Sequence, residues 1–183
     1  MTNTSAIIWL DSVDSTNKEV RRRLDSLDNM SVISATEQTA GRGQGDHTWH
    51  SRPGENLTFT VLLKFSQIGV LPARDAGRIN DFVTSSLLAY LASRGIQARI
   101  KLPNDIYVKD KKICGMLIEN ILDGPNIGMS IIGIGLDVNQ TDFPEDLPNP
   151  VSMAQLTGRS YTLEEELARL LAEMQSRLPD LLP

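Results

Sequence analysis

Lys109-Asp110-Lys111-Lys112 separates two apolar runs, Ile106-Tyr107-Val108 and Ile113 to Glu119. Short β-type runs flanking a charged break read as a hairpin. A hairpin demands antiparallel neighbours, so an all-parallel, doubly wound sheet is excluded from the outset. Further strands are expected at Ile7 to Leu10, Val32 to Thr36, Leu57 to Leu63, Ala98 to Leu102 (stopped by Pro103) and Met129 to Leu136. Val20, Leu24 and Leu27 recur at i, i+4 and i+7 behind a cluster of cap formers, which predicts a helix from about Thr16. A second helix is predicted from Ala73 to Arg94, with Ile79, Phe82, Val83, Leu87, Tyr90 and Leu91 on one stripe and Gly95 after it. Ser152 to Gln155 and Thr162 to Glu165 both fit a capping box, the latter opening a third helix that carries Leu163, Leu167, Leu170, Leu171, Met174 and Leu178. Hairpins mixed with helices give an α+β class: a mixed, largely antiparallel sheet with helices packed on it.

The 183 residues are expected to form one domain, 1–183. A net charge of −5 offers no general attraction for nucleic acid or an anionic membrane, so neither is expected as a partner. Cys114 is the sole cysteine, which excludes an internal disulfide and a cysteine-rich zinc site. No apolar run approaches the ~20 residues of a membrane span, and the N-terminus has no secretory pattern. Cytoplasmic location is the expectation.

Four polar clusters stand at element ends, where binding residues collect. Asp14-Ser15-Thr16-Asn17 reads either as a helix cap or as short hydrogen-bonding groups facing a small polar head group. Glu37 to Trp49 carries Gly41, Gly43 and Gly45 around Arg42, preceded by Gln38 with its donor and acceptor. That stretch is either a flexible glycine-rich turn or a loop bringing main-chain N–H groups and a cation to an anion. Lys101-Leu102-Pro103-Asn104-Asp105 is either an ordinary turn or a lysine aligned with an Asn-Asp pair for a nucleotide and a magnesium ion. Lys112 opens a strand in which Gly115 is interior, and Gly133 and Gly135 repeat that sign further on. Interior glycines weaken a strand and mark close approach to its backbone. Two such strands are expected to floor a slot for a flat ligand. His47 and His50 are the only histidines, so a three-histidine metal site is impossible. Neither a Walker A nor a Rossmann glycine motif opens a helix. Electrostatic stabilisation by Arg and Lys remains as the mode of catalysis.

Taken in order, DSTN, EQTAGRGQGDHTW…GENLTFT, KLPNDIYVKDKKICGMLIEN and IIGIGLDVN resemble the motifs of biotin–protein ligases over roughly residues 7 to 140. The resemblance implies a class II synthetase-like catalytic domain of the biotin/lipoate ligase type. It implies that biotin and ATP with Mg2+ form biotinyl-5′-AMP, and that a lysine of a biotin carboxyl carrier protein then takes the biotin. By position, Ser15, Thr16, Asn17 and Gln38, with Gly41, Arg42, Gly43 and Gln44, are expected at biotin. Gly115, Leu117, Gly133 and Gly135 are expected as the slot walls, and Lys112 at the biotin carboxylate. Arg42, Lys101 and Lys112 are expected to be catalytic. Trp49, Asn104 and Asp137 join Arg42 and Lys101 at the nucleotide, although Trp49 also fits a plain core role. Asp105 is the expected magnesium ligand.

The chain departs from the family pattern at four places. Gln44 stands where many members have a second arginine, Asp46 where they have Gly, Leu102 where they have Trp, and Asp137 where they have Asn. A less cationic loop is expected to hold an adenylate less firmly. Neither an N-terminal winged helix nor the small C-terminal β-barrel of the family is expected in this chain, and a homodimer is possible by family analogy. Lipoate ligation and biotin or carrier binding without catalysis are the alternative readings.

Overall fold

The computed structural model describes residues 6–183. Chain order is β1 (Ile7–Val13), α1 (Thr16–Arg22), β2 (Val32–Gln38), β3 (Leu57–Lys64), α2 (Phe65–Ile68), α3 (Gly77–Ser93), β4 (Arg99–Lys101), β5 (Asp105–Val108), β6 (Lys111–Asp123), β7 (Asn126–Leu136), α4 (Met153–Thr157) and α5 (Leu163–Arg177). The strands form one seven-stranded sheet in the order β1-β2-β3-β7-β6-β5-β4. Only β1 and β2 are parallel, joined through α1, and every other pair is antiparallel. The expected class therefore holds.

Alternation along the strands divides the molecule into two layers. Leu57, Phe59, Val61 and Leu63 of β3 and Ile132, Ile134 and Leu136 of β7 face a large core closed by α3, α4 and α5. Leu62 and Ile131 point the other way, onto a smaller cluster with Val20 and Leu27. The second face is only partly covered by α1, and the uncovered remainder is a cleft.

Several elements differ from the sequence expectation. Helix α1 stops at Arg22, yet Leu27 still packs on Ile33 and Leu62 from the turn beyond it. The chain has to reverse there to run beside β1, and that constraint overrides the helical spacing. The hairpin turn is only Lys109-Asp110, with Lys109 at φ 55°, so Lys111 and Lys112 lie inside β6. Strand β6 runs on to Asp123 and meets β7 across Gly124-Pro125, a second hairpin that the mixed composition of 119–128 conceals. Strand β4 is confined to three residues at the sheet edge. Helix α3 begins at Gly77 behind a separate 3-10 turn at Ala73–Asp75. The capping box at Ser152 forms in full, with Gln155 N–H donating to Ser152 Oγ at 3.2 Å, whereas the Thr162 side chain makes no cap bond.

Candidate functional site

A bulge creates the site's central geometry. Ile106 pairs with Cys114 but Tyr107 pairs with Lys112, leaving Ile113 as an extra residue of β6. Regular alternation would send Lys112 and Gly115, three apart, to opposite faces. The bulge resets the alternation, so both face the cleft while Ile113 and Cys114 enter the core. A Cβ on Gly115 would sit 3.2 Å from Lys112 Nζ, so the missing side chain gives the ammonium its space. Lys112 Nζ lies 2.8 Å from Asp105 Oδ1.

The start of α1 supplies the opposite wall. The side chain of Ser15, the N-cap residue, makes no cap bond, so capping does not account for its hydroxyl. The Asp14 carboxylate instead accepts the Ser15 N–H at 2.8 Å and pairs with Arg22, whose hydrogen bond holds Asp14 down to about 2. Gln38 Oε1 accepts both the N–H (2.8 Å) and the hydroxyl (3.1 Å) of Thr16. The Thr60 hydroxyl lies 2.8 Å from Thr16 Oγ1 and 2.7 Å from Asn17 Oδ1. Asn17 Nδ2 donates to the Leu117 carbonyl and to Glu119. Ser15, Thr16, Asn17 and Thr60 are all almost fully buried, and the row is held by interlocking bonds. The neighbouring arginine triplet is tied to carboxylates, Arg22 and Arg23 at Glu19 and Arg21 near Glu119.

The slot glycines serve a different purpose from the expected bare floor. A Cβ at Gly133 would overlap the Asn17 amide, and one at Gly135 would overlap the Trp49 indole. The flat group on β6 and β7 is thus the chain's own Trp49, whose Nε1 is buried without a hydrogen-bond partner among the described residues. Trp49 is a wall of the cleft, and its indole against Gly135 holds the end of its loop on the sheet. Gly115, Leu117, Gly133 and Gly135 nevertheless all border the cleft, of about 320 Å³.

The glycine-rich loop is ordered by its own backbone. Gly43 N–H donates to the His47 carbonyl at 2.8 Å and Trp49 N–H to the Gly41 carbonyl at 3.1 Å, with Gly45 at φ 62° at the tip. Gly41 is needed because a Cβ there would come 2.5 Å from the Trp49 carbonyl oxygen, and it does not border the cleft. The Gly43 and Trp49 amides are engaged inside the loop, and the Arg42 side chain borders the cleft beside Gly43 and Gln44.

Asn104 and Asp105 border the cleft, and Asn104 is pinned to β6 by exchanging bonds with Met116, its Nδ2 donating to the Met116 carbonyl at 2.9 Å. Lys101 does not border it. Its ammonium sits 4.4 Å from the centre of the Tyr107 ring and 3.2 Å from the Tyr107 hydroxyl, at the exposed rim. Lys101 thus stands on the exposed edge strand β4 against Tyr107, which does border the cleft. Asp137 is also outside the lining. It is 4% exposed, its Oδ1 lacks a partner among the described residues, and its backbone binds Ile113 and Met153. Burial pushes its carboxyl well above the usual carboxylate range, with Lys112 pulling in the other direction. Among the described residues no group of three or more His, Cys, Asp or Glu is placed to hold a metal ion. Asp105 is thus a lone carboxylate, a donor set that suits Mg2+ only where substrate phosphates complete the shell.

Sequence reasoning overlooked Thr60, Tyr107 and Glu119. Thr60 and Tyr107 read as ordinary strand residues, and only strand pairing brings Tyr107 to the cleft and Thr60 beneath the Thr16–Asn17 row. Glu119 was visible as the charged end of an apolar run, without any signal of its partners.

Residues 9–137 match the biotin/lipoate A/B protein ligase family. The chain is 28% identical over 179 residues to the bifunctional ligase/repressor BirA of Bacillus spizizenii, an alignment covering 95% of this chain and 54% of that protein. It is 29% identical over 174 residues to the biotin–[acetyl-CoA-carboxylase] ligase of Paracoccus denitrificans, covering 90% of this chain and 71% of that one. The fold is similar to biotin protein ligase from Aquifex aeolicus in complex with biotin and ATP, with a TM-score of 0.74, 28% identity and coverage of 94% and 70% of the two chains. The chain thus spans about half the length (54%) of the first of these relatives.

Proposed function

This chain belongs to the biotin/lipoate A/B protein ligase family, and from that premise we propose that it activates biotin with ATP and transfers it to a lysine of a biotin carboxyl carrier protein. One observation carries the reading. The cleft is lined by an uncharged hydrogen-bonding row (Ser15, Thr16, Asn17, Gln38) and by two cations, Arg42 and Lys112. A ureido ring needs the first and a carboxylate reacting at a phosphate needs the second.

The first step joins the biotin carboxylate to the α-phosphorus of ATP and expels pyrophosphate. Negative charge gathers at that phosphorus, and fixed cations lower the barrier without a protein nucleophile. Lys112 is placed to leave Asp105 for the carboxylate, and Arg42 to meet the phosphates. Asn104 and Trp49 border the nucleotide side, and Lys101 supplies charge from the rim. Asp105 together with phosphate oxygens would hold Mg2+, which neutralises phosphate charge when bound. In the second step the carrier lysine attacks the mixed anhydride and AMP leaves. The sheet and its helices act as a single catalytic domain in this scheme, in the cytoplasm. Among the described residues no helix is long and apolar enough to cross a membrane.

Biotin-dependent exchange between ATP and labelled pyrophosphate tests the reading. Exchange with biotin and not with lipoate is expected. Exchange driven by lipoate instead, or biotin binding without exchange, overturns it.

A further inference from the structure

Glu119 follows the cleft-lining Gly115 and Leu117 on the same face of β6, just beyond the lining, and joins α1 to the glycine-rich loop. Its Oε2 accepts from Asn17 Nδ2 at 2.9 Å, and its Oε1 accepts from Arg42 Nη1 at 3.3 Å. Arg21 stands 3.8 Å from the same Oε1. A continuous chain of hydrogen bonds therefore runs from Gln38 through Thr16, Thr60 and Asn17 to Glu119, and from there to Arg42. No other residue touches both the α1 row and the loop cation by hydrogen bonds among the described residues.

We infer that Glu119 is a positioning residue: it holds Arg42, and with it the 41–49 loop, in register with the row that receives the biotin head group. This rests on the ligase reading above. Glu119 does not border the cleft and touches no reacting atom, so it acts through Arg42 and Asn17. The Arg42 side chain is 41% exposed, and an ion pair of that kind adds little to stability. Its value lies in placement, since a reacting or stabilising group displaced by ~1 Å loses about 10²-fold in rate. Asn17 is locked to the same carboxylate. The wall that meets the head group and the cation that meets the phosphates are thereby fixed to one carboxylate.

Glu119→Gln keeps an oxygen for Asn17 Nδ2 and removes the charge facing Arg42. Its biotin Kd by calorimetry is expected within about twofold of wild type, while kcat of biotin-dependent exchange falls about tenfold. In an Arg42→Ala background the same substitution should change kcat by less than about twofold, because the two act as one unit. A wild-type kcat, or an equal loss in both backgrounds, overturns the inference. Limited trypsin digestion reads the loop without turnover. Cleavage after Arg42, relative to cleavage after exposed Arg159, should rise about tenfold in Glu119→Gln. An unchanged ratio overturns the inference even where the wild-type chain shows no exchange, the separate result that would sink the ligase reading.

Discussion

At the scale of single residues, two side chains have unusual surroundings, Lys112 in the cleft and Asp137 buried outside its lining. Lys112 reaches the cleft only because Ile113 is bulged and Gly115 has no side chain. Replacing it by Ala removes the fixed charge expected at the reacting carboxylate, so exchange should drop about 10²–10³-fold in kcat. Circular dichroism should show the fold intact, since the Lys112 ammonium is on the cleft side. Asp137 is the opposite case, a carboxyl buried where the charged form is disfavoured. Its folded value lies above its unfolded one, so the folded state binds the extra proton. Its contribution is present at acid pH and is lost as pH rises through the raised value. Asp137→Asn should therefore be more stable than wild type at pH 8, by about 1 kcal/mol or roughly 2–4 °C in Tm. At pH 4 the gain should vanish; thermal melts at both pH values check this, and an equal gain at both would refute the burial argument.

Elements bring a second buried carboxylate into play. Helices α3 and α5 are bound by Glu166, which accepts from the Tyr90 hydroxyl at 2.5 Å and from the Arg94 guanidinium. Burial alone would raise the Glu166 value, but Arg94 and Tyr90 more than offset it and leave it below the usual range. The sign is the reverse of Asp137: this contribution is present above the unfolded value and fades as pH falls through the folded one. Glu166→Ala leaves a partly buried Arg94 and a buried Tyr90 hydroxyl without their acceptor. A loss of about 3 kcal/mol, or roughly 6–12 °C in Tm, is expected at pH 7. Because α5 packs on the face away from the cleft, biotin affinity should change by less than about twofold. The pair Thr162 and Glu165 shows how a sequence pattern can mislead here: the capping box was legible, yet the Thr162 side chain makes no cap bond. The equivalent pair at Ser152 and Gln155 closes as written, because Ser152 is fully buried against the core that holds Met153.

For the whole molecule, the division into a sealed face and an open face explains why stability and binding separate. The core beneath α3 and α5 is continuous, whereas α1 covers only part of the other side. A ligand seated on the open face binds the folded chain alone and should stabilise it. At 100 times its Kd, biotin should add about 2.7 kcal/mol, raising Tm by roughly 5–10 °C. Differential scanning fluorimetry with biotin and with lipoate reads this directly, and a shift with neither would contradict the proposed ligand.

The order of strands and helices, the mixed sheet class and most cleft residues were legible in the sequence, for a local reason. Hairpin breaks, periodicity and cap residues act over a few neighbours, and DSTN, the GRG loop and K-x-x-G keep their chemistry within short segments. Tertiary structure decided the rest. It turned Lys101 outward on an edge strand, buried Asp137, laid Trp49 on the glycines that had seemed to await a ligand, and brought Glu119 between Asn17 and Arg42. Each of these depends on strand register and on residues far apart in the chain, such as Asn17 and Glu119. Short-range patterns carry no record of such pairings, because the energy that selects them comes from packing across the sheet.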